Sequence, residues 1–217
     1  MILAIYGSGG LGRETYELAS LINEAIQRWD KIIFVDDVRN EGSFFGTTSE
    51  NFSTVCRKYR STELEFAVGL GEPIFRKELE QRITDSGYDL ATLIHPKASI
   101  SSTAVINKGT IIRQSIISSN ANIGKNIYVQ DFVYIGHDSK IGDHSMICSF
   151  VATGGFSTIE ECSFIGMHVA VKEKTSIGKD CIVGAGAMVL DNLPNDVIAF
   201  GSPAKPIRKN IEHRVFR

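Results

Sequence analysis

A histidine followed directly by an aspartate is the pair of residues in this sequence best suited to acid–base chemistry. His137 and Asp138 stand in the stretch YIGHDSKIGDHSMICS, which covers residues 134–149. Imidazole titrates near neutral pH, and an adjacent carboxylate can orient the ring and raise its basicity. We therefore expect His137 to act as a general base, with Asp138 as its partner and Asp131 as the alternative acid. The competing interpretation is that His137 is an ordinary solvated surface group.

A glycine-rich loop near the start of the chain is suited to binding a diphosphate. Gly7, Gly9 and Gly12 form a GxGxxG pattern between a predicted strand and a predicted helix. Such a turn lets backbone N–H groups and a helix N-terminus approach phosphate oxygens. Asp36 and Asp37 end the next predicted strand, about where a ribose-binding acid belongs. A nucleotide-sugar is the favoured ligand, and a nicotinamide cofactor and a purely structural turn remain the alternatives.

The residues up to position 92 predict an α/β, Rossmann-like domain that positions this loop. The segments ILAIYG, KIIFVDD and LEFAVGLG are short apolar runs typical of buried parallel strands. The segments LGRETYELASLINEAI and EPIFRKELEQRITDSG have helical spacing, the second with Pro73 in its first turn and Gly87 after its end. Strand–helix alternation indicates a parallel sheet with right-handed crossovers. We assign residues 1–92 to a nucleotide-sugar-binding domain.

A six-residue period begins near residue 94 and predicts a parallel β-helix over residues 93–217. An apolar residue fills the repeated position. Glycine often follows it and allows a sharp corner, and a small or β-branched residue stands four places after the repeated position. This period fits neither a helix face nor simple strand alternation, but it fits a solenoid of short strands and turns. The repeated positions are Ile94, Ile100, Ile106, Ile112, Ile117, Ile123, Val129, Ile135, Ile141, Ile147, Thr153, Ile159, Ile165, Val171, Ile177, Val183 and Val189.

The composition argues against several classes of function. The 217 residues carry a formal net charge of -2, which gives no basic surface for nucleic acid or an anionic membrane. No apolar run approaches the roughly 20 residues of a membrane-spanning helix, and the N-terminus does not look like a signal peptide. The four cysteines form no CxxC pair, so we expect reduced thiols, a cytoplasmic location and no metal site.

Motifs in both halves make the chain resemble the hexapeptide-repeat acyltransferases. The stretches IGKNIYVQDFVYIGHDSKIGDHS, IGKDCIVGAGAMV and GSPAK look like this family, whose members fold as a left-handed β-helix with three hexapeptides per coil. The motifs YGSGGLGRE, FVDD and VGLGEPIFRKEL are similar to those of the bacillosamine-type nucleotide-sugar N-acetyltransferases, which are related to the sialic acid O-acetyltransferases. The resemblance covers Ile2 to about Arg208.

This resemblance implies a set of site residues. His137 falls at the family's catalytic histidine, although the family's best-known member has glutamate where this chain has Asp138. The family also has a histidine where this chain has Met146, so oxyanion stabilisation would come from a backbone N–H near Gly154 or Gly155. The residues implied for the nucleotide-sugar are Gly9, Gly10, Leu11, Asp36, Asp37 and Gly71. The residues implied for the co-substrate acetyl-CoA are Met146, Met167 and Ala185.

Several further residues are weaker candidates. By resemblance, Glu72 and Arg76 could contact the substrate, although an arginine on a helix surface is more often solvated. Lys205 and Arg208 could meet the 3′-phosphate of acetyl-CoA.

The remaining histidines are expected to be ordinary. His95 precedes a proline at the entry to the first coil, and His213 lies in the tail. His144 and His168 both fall three places after a repeated position, on the outer surface of a coil, with His168 near a possible groove between subunits.

Together these observations predict an acetyl-CoA-dependent N-acetyltransferase of bacterial glycan biosynthesis. It would acetylate the amine of a nucleotide-linked amino-deoxy sugar by direct attack, with UDP as the expected nucleotide. By resemblance it is a homotrimer with active sites between subunits. The alternatives are an O-acetyltransferase acting on sialic acid or a related sugar and a non-catalytic scaffold that binds a nucleotide-sugar.

Overall fold

Two parts with different architectures follow one another along the chain. The structure, a computed structural model, describes residues 1–39 and 43–216. The N-terminal part consists of β1 (Ile2–Tyr6), α1 (Gly10–Ile26), β2 (Lys31–Val35), β3 (Ser43–Phe44), β4 (Thr47–Glu50), α2 (Phe52–Lys58), β5 (Leu64–Val68), α3 (Pro73–Asp85) and β6 (Asp89–Leu90).

The N-terminal part confirms the predicted Rossmann-like α/β fold. Its strand order is β3-β4-β2-β1-β5-β6, and β1 pairs in parallel with β2 on one side and β5 on the other. Because the chain leaves β1 toward one neighbour and later returns on the opposite side, the carboxyl end of β1 opens onto the crevice where such sheets bind ligands. The pair β3–β4, helix α2 and edge strand β6 were not predicted, because their segments are short and carry no clear period.

The C-terminal part is built from short strands. They are β7 (Leu93–Ile94), β8 (Ser99–Ile100), β9 (Val105–Ile106), β10 (Ile111–Ile112), β11 (Ile116–Ile117), β12 (Asn122–Ile123), β13 (Tyr128–Val129), β14 (Tyr134–Ile135), β15 (Lys140–Ile141), β16 (Met146–Ile147), β17 (Ala152–Thr153), β18 (Thr158–Ile159), β19 (Phe164–Ile165), β20 (Ala170–Val171), β21 (Ser176–Ile177), β22 (Ile182–Val183), β23 (Met188–Val189), β24 (Val197–Phe200) and β25 (Lys205–Lys209).

These strands stack into three sheets that are parallel apart from the β24–β25 pair, which confirms the predicted left-handed parallel β-helix. The first sheet contains β7, β10, β13, β16, β19, β22, β24 and β25; the second contains β8, β11, β14, β17, β20 and β23; the third contains β9, β12, β15, β18 and β21. The second residue of each strand from β7 to β23 is the predicted repeated residue, and from β8 onward these side chains fill or flank the core. Thr153 fits there because its hydroxyl oxygen accepts the N–H of Gly136 at 3.0 Å.

The corners of the coils depend on a residue that the sequence did not single out. From Ile117 to Val183, the residue three places after each repeated position has a left-handed φ, which is 55° at Asp138, 62° at His144 and 59° at Phe156. The glycine after the repeated position was expected to form the corner, and this was wrong. It instead permits close backbone approach, since a Cβ on Gly136 would lie 2.6 Å from the carbonyl oxygen of Thr153.

The N-terminal part packs against the first sheet of the β-helix. Leu3 and Leu18 share a buried cluster with Tyr128 and Met146. Strand β6 is the last strand of the N-terminal sheet and β7 begins the first coil, so the change of architecture lies near residue 92. The division into separate domains at residues 92 and 93 stays a prediction.

Arg76 links helix α3 to the β-helix through hydrogen bonds that are buried in this interface. Its side chain is fully buried, and Nε and Nη2 donate to the carbonyl oxygen and Oδ1 of Asn126, each at 2.8 Å. Nη1 donates to the carbonyl oxygens of Val68 at 2.8 Å and Leu70 at 2.7 Å. Burial lowers the pKa of Arg76 to about 9, so the guanidinium is still charged at pH 7. The expectation of a solvated arginine was therefore wrong.

The chain ends beyond the β-helix. Strands β24 and β25 form an antiparallel hairpin on the first sheet, and every residue of β25 is exposed. Residues 211–216, which we call the C-terminal segment, then return toward the N-terminal part. Within residues 1–39 and 43–216, no helix combines the length and apolar character needed to cross a membrane.

Candidate active site

The predicted catalytic pair is formed at a corner between the second and third sheets. His137 lies two places after the inward-pointing Ile135, and the left-handed backbone of Asp138 turns its carboxylate back toward the imidazole. Nδ1 of His137 lies 2.8 Å from Oδ2 of Asp138, so the shorter aspartate side chain does reach the ring. With Nδ1–H donated to the carboxylate, Nε2 carries the lone pair that can accept a proton.

Asp138 is itself held in place. Nδ2 of Asn120 donates to its Oδ1 at 3.1 Å, and the hydrogen bonds from His137 and Asn120 lower the pKa of this carboxyl group. Asp131, the alternative acid, accepts from Nε of Arg113 at 2.6 Å and from the N–H of Gln114 at 3.2 Å. The geometry thus pairs His137 with Asp138 rather than with Asp131.

The next coil supplies the close surroundings of the imidazole, which the sequence did not reveal. The ring of Phe156 meets that of His137 edge to face with centroids 5.2 Å apart. A Cβ on Gly155 would lie 2.5 Å from Nε2, so only glycine leaves this space for the ring. The N–H of Gly154 donates to the carbonyl oxygen of Val171 at 2.8 Å and is already used by the sheet. Of the two glycines suggested as oxyanion donors, Gly155 is therefore the better placed.

The glycine loop borders a cleft of about 390 Å³ in the N-terminal part. Gly7 has a left-handed φ of 104°, and a Cβ on Gly12 would lie 1.9 Å from the carbonyl oxygen of Gly7. These glycines therefore shape the turn and let helix α1 begin against it. The cleft is lined by Tyr6, Gly7, Gly9, Asp36, Asp37, Val38, Arg39, Leu70, Phe75, Glu78, Leu79 and Arg82.

The carboxylate of Asp36 accepts hydrogen bonds from the two protein loops that border the cleft. Its Oδ2 accepts the N–H and hydroxyl of Ser8, at 2.9 and 2.8 Å, and its Oδ1 accepts the N–H groups of Val38 and Arg39, each at 2.9 Å. Burial alone would raise the pKa of Asp36, but these hydrogen bonds outweigh it and lower the pKa. Asp36 therefore shapes the site through its neighbours.

Asp37 is also engaged by the protein. Its carboxylate accepts from the hydroxyl of Tyr6, from Arg82 and from the N–H of Phe52. Burial opposes ionisation, yet these three donors hold the pKa of Asp37 below its ordinary value. Direct contact of Asp36 or Asp37 with a nucleotide stays a prediction, since both carboxylates already accept several hydrogen bonds.

Gly71 lies where the two parts of the chain meet. A Cβ built on it would lie 3.6 Å from Leu11 and 3.9 Å from Met146. The structure thus brings two of the predicted substrate residues, Gly71 and Leu11, together beside the first sheet. Glu72, a weaker candidate, is buried, and its carboxylate accepts backbone N–H groups of the C-terminal segment.

The three residues predicted to contact acetyl-CoA do not all lie together. Met167 and Ala185 are exposed on adjacent coils at the corner between the first and second sheets. Met146 faces the N-terminal part from the first sheet and is only 3% exposed. Its position does not favour contact with a bound acyl donor, and the roles of all three residues stay predictions. Lys205 and Arg208 lie exposed on β25.

The other histidines have varied surroundings. His144 was expected on the surface, and this was wrong: it is 5% exposed, with Nδ1 3.2 Å from Oε2 of Glu80, because helix α3 covers this corner. His168 is exposed and stacks on Phe150 with centroids 4.7 Å apart. Nδ1 of His95 accepts the N–H of Lys97 at 3.0 Å at the entry to the first coil.

His213 belongs to the one group of possible metal ligands found in the described residues. It lies with Asp180 and Asp196, and the ligand atoms of the three are within 4.8 Å of one another. Asp180 already bonds with the ring of His213 and accepts from Nδ2 of Asn210. This group therefore serves to attach the end of the chain to the β-helix.

The predicted catalytic pair and the cleft beside the glycine loop lie on different sides of one chain. The cleft belongs to the part that covers the first sheet, whereas His137 lies at the corner between the second and third sheets. No hydrogen bond, ion pair or ring contact found within residues 1–39 and 43–216 joins the two. Within the described residues of one chain, the predicted pair and the cleft are therefore separate and do not form one closed pocket.

Comparisons with known proteins find similarity in the N-terminal part and over nearly the whole chain. The family model described as the PglD N-terminal domain matches residues 2–83. A GDP-perosamine N-acetyltransferase of Escherichia coli O157:H7 is 27% identical over 96% of this chain and 97% of its own length.

Solved structures agree with the fold over nearly the whole chain. PerB from Caulobacter crescentus, in complex with CoA and GDP-perosamine, is 25% identical with a TM-score of 0.88, covering 96% of this chain and 98% of its own. The acetyltransferase domain of PglB from Neisseria gonorrhoeae, in complex with acetyl coenzyme A, is 26% identical with a TM-score of 0.88, covering 95% of this chain and 98% of its own.

Proposed function

We propose that the chain, a hexapeptide-repeat sugar acetyltransferase, acetylates the amine of a nucleotide-linked amino-deoxy sugar with acetyl-CoA as co-substrate. The observation that carries this proposal is the His137–Asp138 pair, whose 2.8 Å contact leaves Nε2 free on an exposed corner. The relatives that act on or bind GDP-perosamine, and those that bind CoA or acetyl-CoA, support the class of both substrates.

The proposed reaction is a direct attack. The sugar nitrogen forms a bond to the thioester carbon, Nε2 of His137 takes a proton from that nitrogen, and the carbon–sulfur bond then breaks to release CoA, whose thiolate receives the proton. The N–H of Gly155 is the proposed donor to the oxyanion. A cysteine nucleophile is not required, and Cys148 is poorly suited because it lies in the buried cluster at the interface with the N-terminal part, where burial raises the pKa of its thiol to about 12.

Two nucleotide carriers, UDP and GDP, fit this proposal. The sequence led us to expect UDP, whereas the printed names of the relatives refer to a GDP-linked sugar. Both share the diphosphate and ribose that a glycine loop can bind. UDP therefore stays a prediction, and we propose GDP as the second carrier to be tested.

We further propose that the site is completed by a second copy of the chain in a homotrimer. From β11 to β23, the outward residues of the second sheet form an apolar row, and three of them are 43–49% exposed, whereas those of the third sheet are mostly polar. An exposed apolar row of this kind fits a subunit interface. The row consists of Ile116, Tyr134, Ala152, Ala170 and Met188. Docking there would bring a neighbour beside His137.

The test is release of free CoA from acetyl-CoA in the presence of GDP- and UDP-linked amino sugars and of sialic acids. We expect turnover only with an amine acceptor, and a loss of roughly 10²- to 10⁴-fold in kcat for His137→Ala. Transfer only to a hydroxyl would favour the O-acetyltransferase alternative. Unchanged turnover in His137→Ala would refute the assigned base, and binding of the nucleotide-sugar without turnover would indicate a scaffold.

A further inference from the structure

The C-terminal segment is attached at two points. On the β-helix, His213 pairs with Asp180, and Asn210, just before the segment, donates its N–H to the carbonyl oxygen of Asp196 at 2.8 Å. On the N-terminal part, the buried carboxylate of Glu72 accepts the N–H groups of Val215 at 2.8 Å and Phe216 at 3.0 Å. A segment held by a buried carboxylate has a defined path, so the side chains between these points have defined positions.

That path places a cation beside the nucleotide cleft. The guanidinium of Arg214 lies over the ring of Phe75, with Cζ 5.1 Å from the ring centroid, and Phe75 lines the cleft. The charged residues that line the cleft are three carboxylates and two guanidiniums, which leaves the lining net negative. They are Asp36, Asp37, Glu78, Arg39 and Arg82.

A nucleoside diphosphate needs positive charge that this lining does not offer in excess. Arg82 is already paired with Asp37. The glycine loop supplies backbone N–H groups, but these are partial charges only. Arg214 does not line the cleft, but through its contact with Phe75 it places a further full positive charge next to a residue that does.

The same segment provides an apolar wall next to the predicted substrate loops. The ring of Phe216 lies 3.7 Å from a Cβ built on Gly71 and meets the ring of Phe164 edge to face with centroids 5.7 Å apart. One side of the ring stays open, since Phe216 is 54% exposed. An open aromatic face beside a sugar-binding loop can pack against the apolar face of a sugar ring.

We propose that the C-terminal segment is part of the acceptor site, with Arg214 binding the diphosphate and Phe216 packing against the sugar. This inference rests on the proposed nucleotide-sugar acceptor. Glu72 acts on this site indirectly, because it positions both residues by holding the backbone between them. The site is thus assembled from the two ends of the chain, and the glycine loop alone does not complete it.

Steady-state kinetics of the full-length protein can separate the two contacts. The KM for the nucleotide-sugar and the inhibition constant of the free nucleoside diphosphate are measured for Arg214→Gln, Phe216→Ala and the control Ile211→Ala, whose side chain is 78% exposed in the same segment. Arg214→Gln should raise both constants roughly tenfold, because it removes a charged contact to phosphate. Phe216→Ala should raise only the KM for the nucleotide-sugar, by roughly fivefold to tenfold.

The KM for acetyl-CoA and the melting temperature, both measured in every variant, should stay at the wild-type values. Wild-type turnover tests the proposed function by itself, so absence of turnover would refute that function. If the wild type is active and both variants keep the wild-type constants, the inference about the segment is wrong. A fall in KM or a rise in kcat in either variant would also overturn it, because the segment would then obstruct the site.

Discussion

Replacing Gly155 with alanine should displace the proposed base without unfolding the β-helix. The added Cβ would lie 2.5 Å from Nε2 and 2.6 Å from Cε1 of His137, whereas ordinary carbon contacts begin near 3.4 Å. The imidazole must therefore move by about 0.9 Å, and it can do so because the side chain is 55% exposed. The backbone of Gly155 is not in the left-handed region, so alanine fits the local conformation and keeps the N–H.

The expected cost follows from this displacement. A shift of about 1 Å in a catalytic group can lower a rate by about 10²-fold, which corresponds to about 2.7 kcal/mol in the barrier. We expect kcat of Gly155→Ala to fall by about that factor in the CoA-release assay. The melting temperature and the KM for acetyl-CoA should change little.

A double variant shows whether the loss passes through the imidazole. If it does, adding Gly155→Ala to His137→Ala should cost nothing further, because the displaced group is already absent. A nearly normal kcat in the single variant would refute the assigned position of the base. A further hundredfold loss in the double variant would show that Gly155 acts by another route.

Three further predictions concern stability and assembly. Arg76→Met should lower the free energy of unfolding by about 3–5 kcal/mol, because buried acceptors lose a charged donor. Chemical denaturation measures this variant beside the control Arg57→Met, which replaces an exposed arginine. Equal free energies of unfolding in the two variants would contradict the role of Arg76. Tyr134→Glu should shift the protein from trimer to monomer in light scattering and abolish turnover, because it places a charge in the apolar row of the second sheet; an active trimer would rule out this face. The folded pKa of Asp36 lies below its unfolded value, so its contribution to the free energy of unfolding is present above about pH 4 and is lost as the pH falls through the folded pKa. The difference in free energy of unfolding between wild type and Asp36→Asn should therefore narrow between pH 7 and pH 3. A constant difference would exclude this dependence of stability on the ionisation of Asp36.

The β-helix was predictable almost residue by residue, because its core repeats one local rule. Each of the repeated positions from Ile100 to Val189 lies in or against the core, even Thr153, since the period alone determines which side chains face the axis. The left-handed corners were harder to predict from the sequence, because asparagine, aspartate, histidine, phenylalanine, cysteine and lysine all occupy them. Their conformation follows from the stacking of coils and not from the preference of any one residue.

Contacts between distant segments could not be predicted in this way. His144 and Arg76 were assigned to the surface because each lies on the outside of its own element, and only the packing of helix α3 on the β-helix buries them. The C-terminal segment has no period at all, and its position depends on a carboxylate more than 140 residues earlier in the chain. Local patterns carry no information about such pairs.

The exposed hairpin at the end of the β-helix has a consequence for solubility. A stack of parallel coils would otherwise finish in an open strand edge, which could pair with another molecule and polymerise end to end. Strand β25 occupies that edge of the first sheet in the antiparallel direction, and its sequence KPIRK combines a proline with three cationic side chains. Proline cannot donate a backbone hydrogen bond and like charges repel, so the hairpin acts as a stop that limits the solenoid to its own coils.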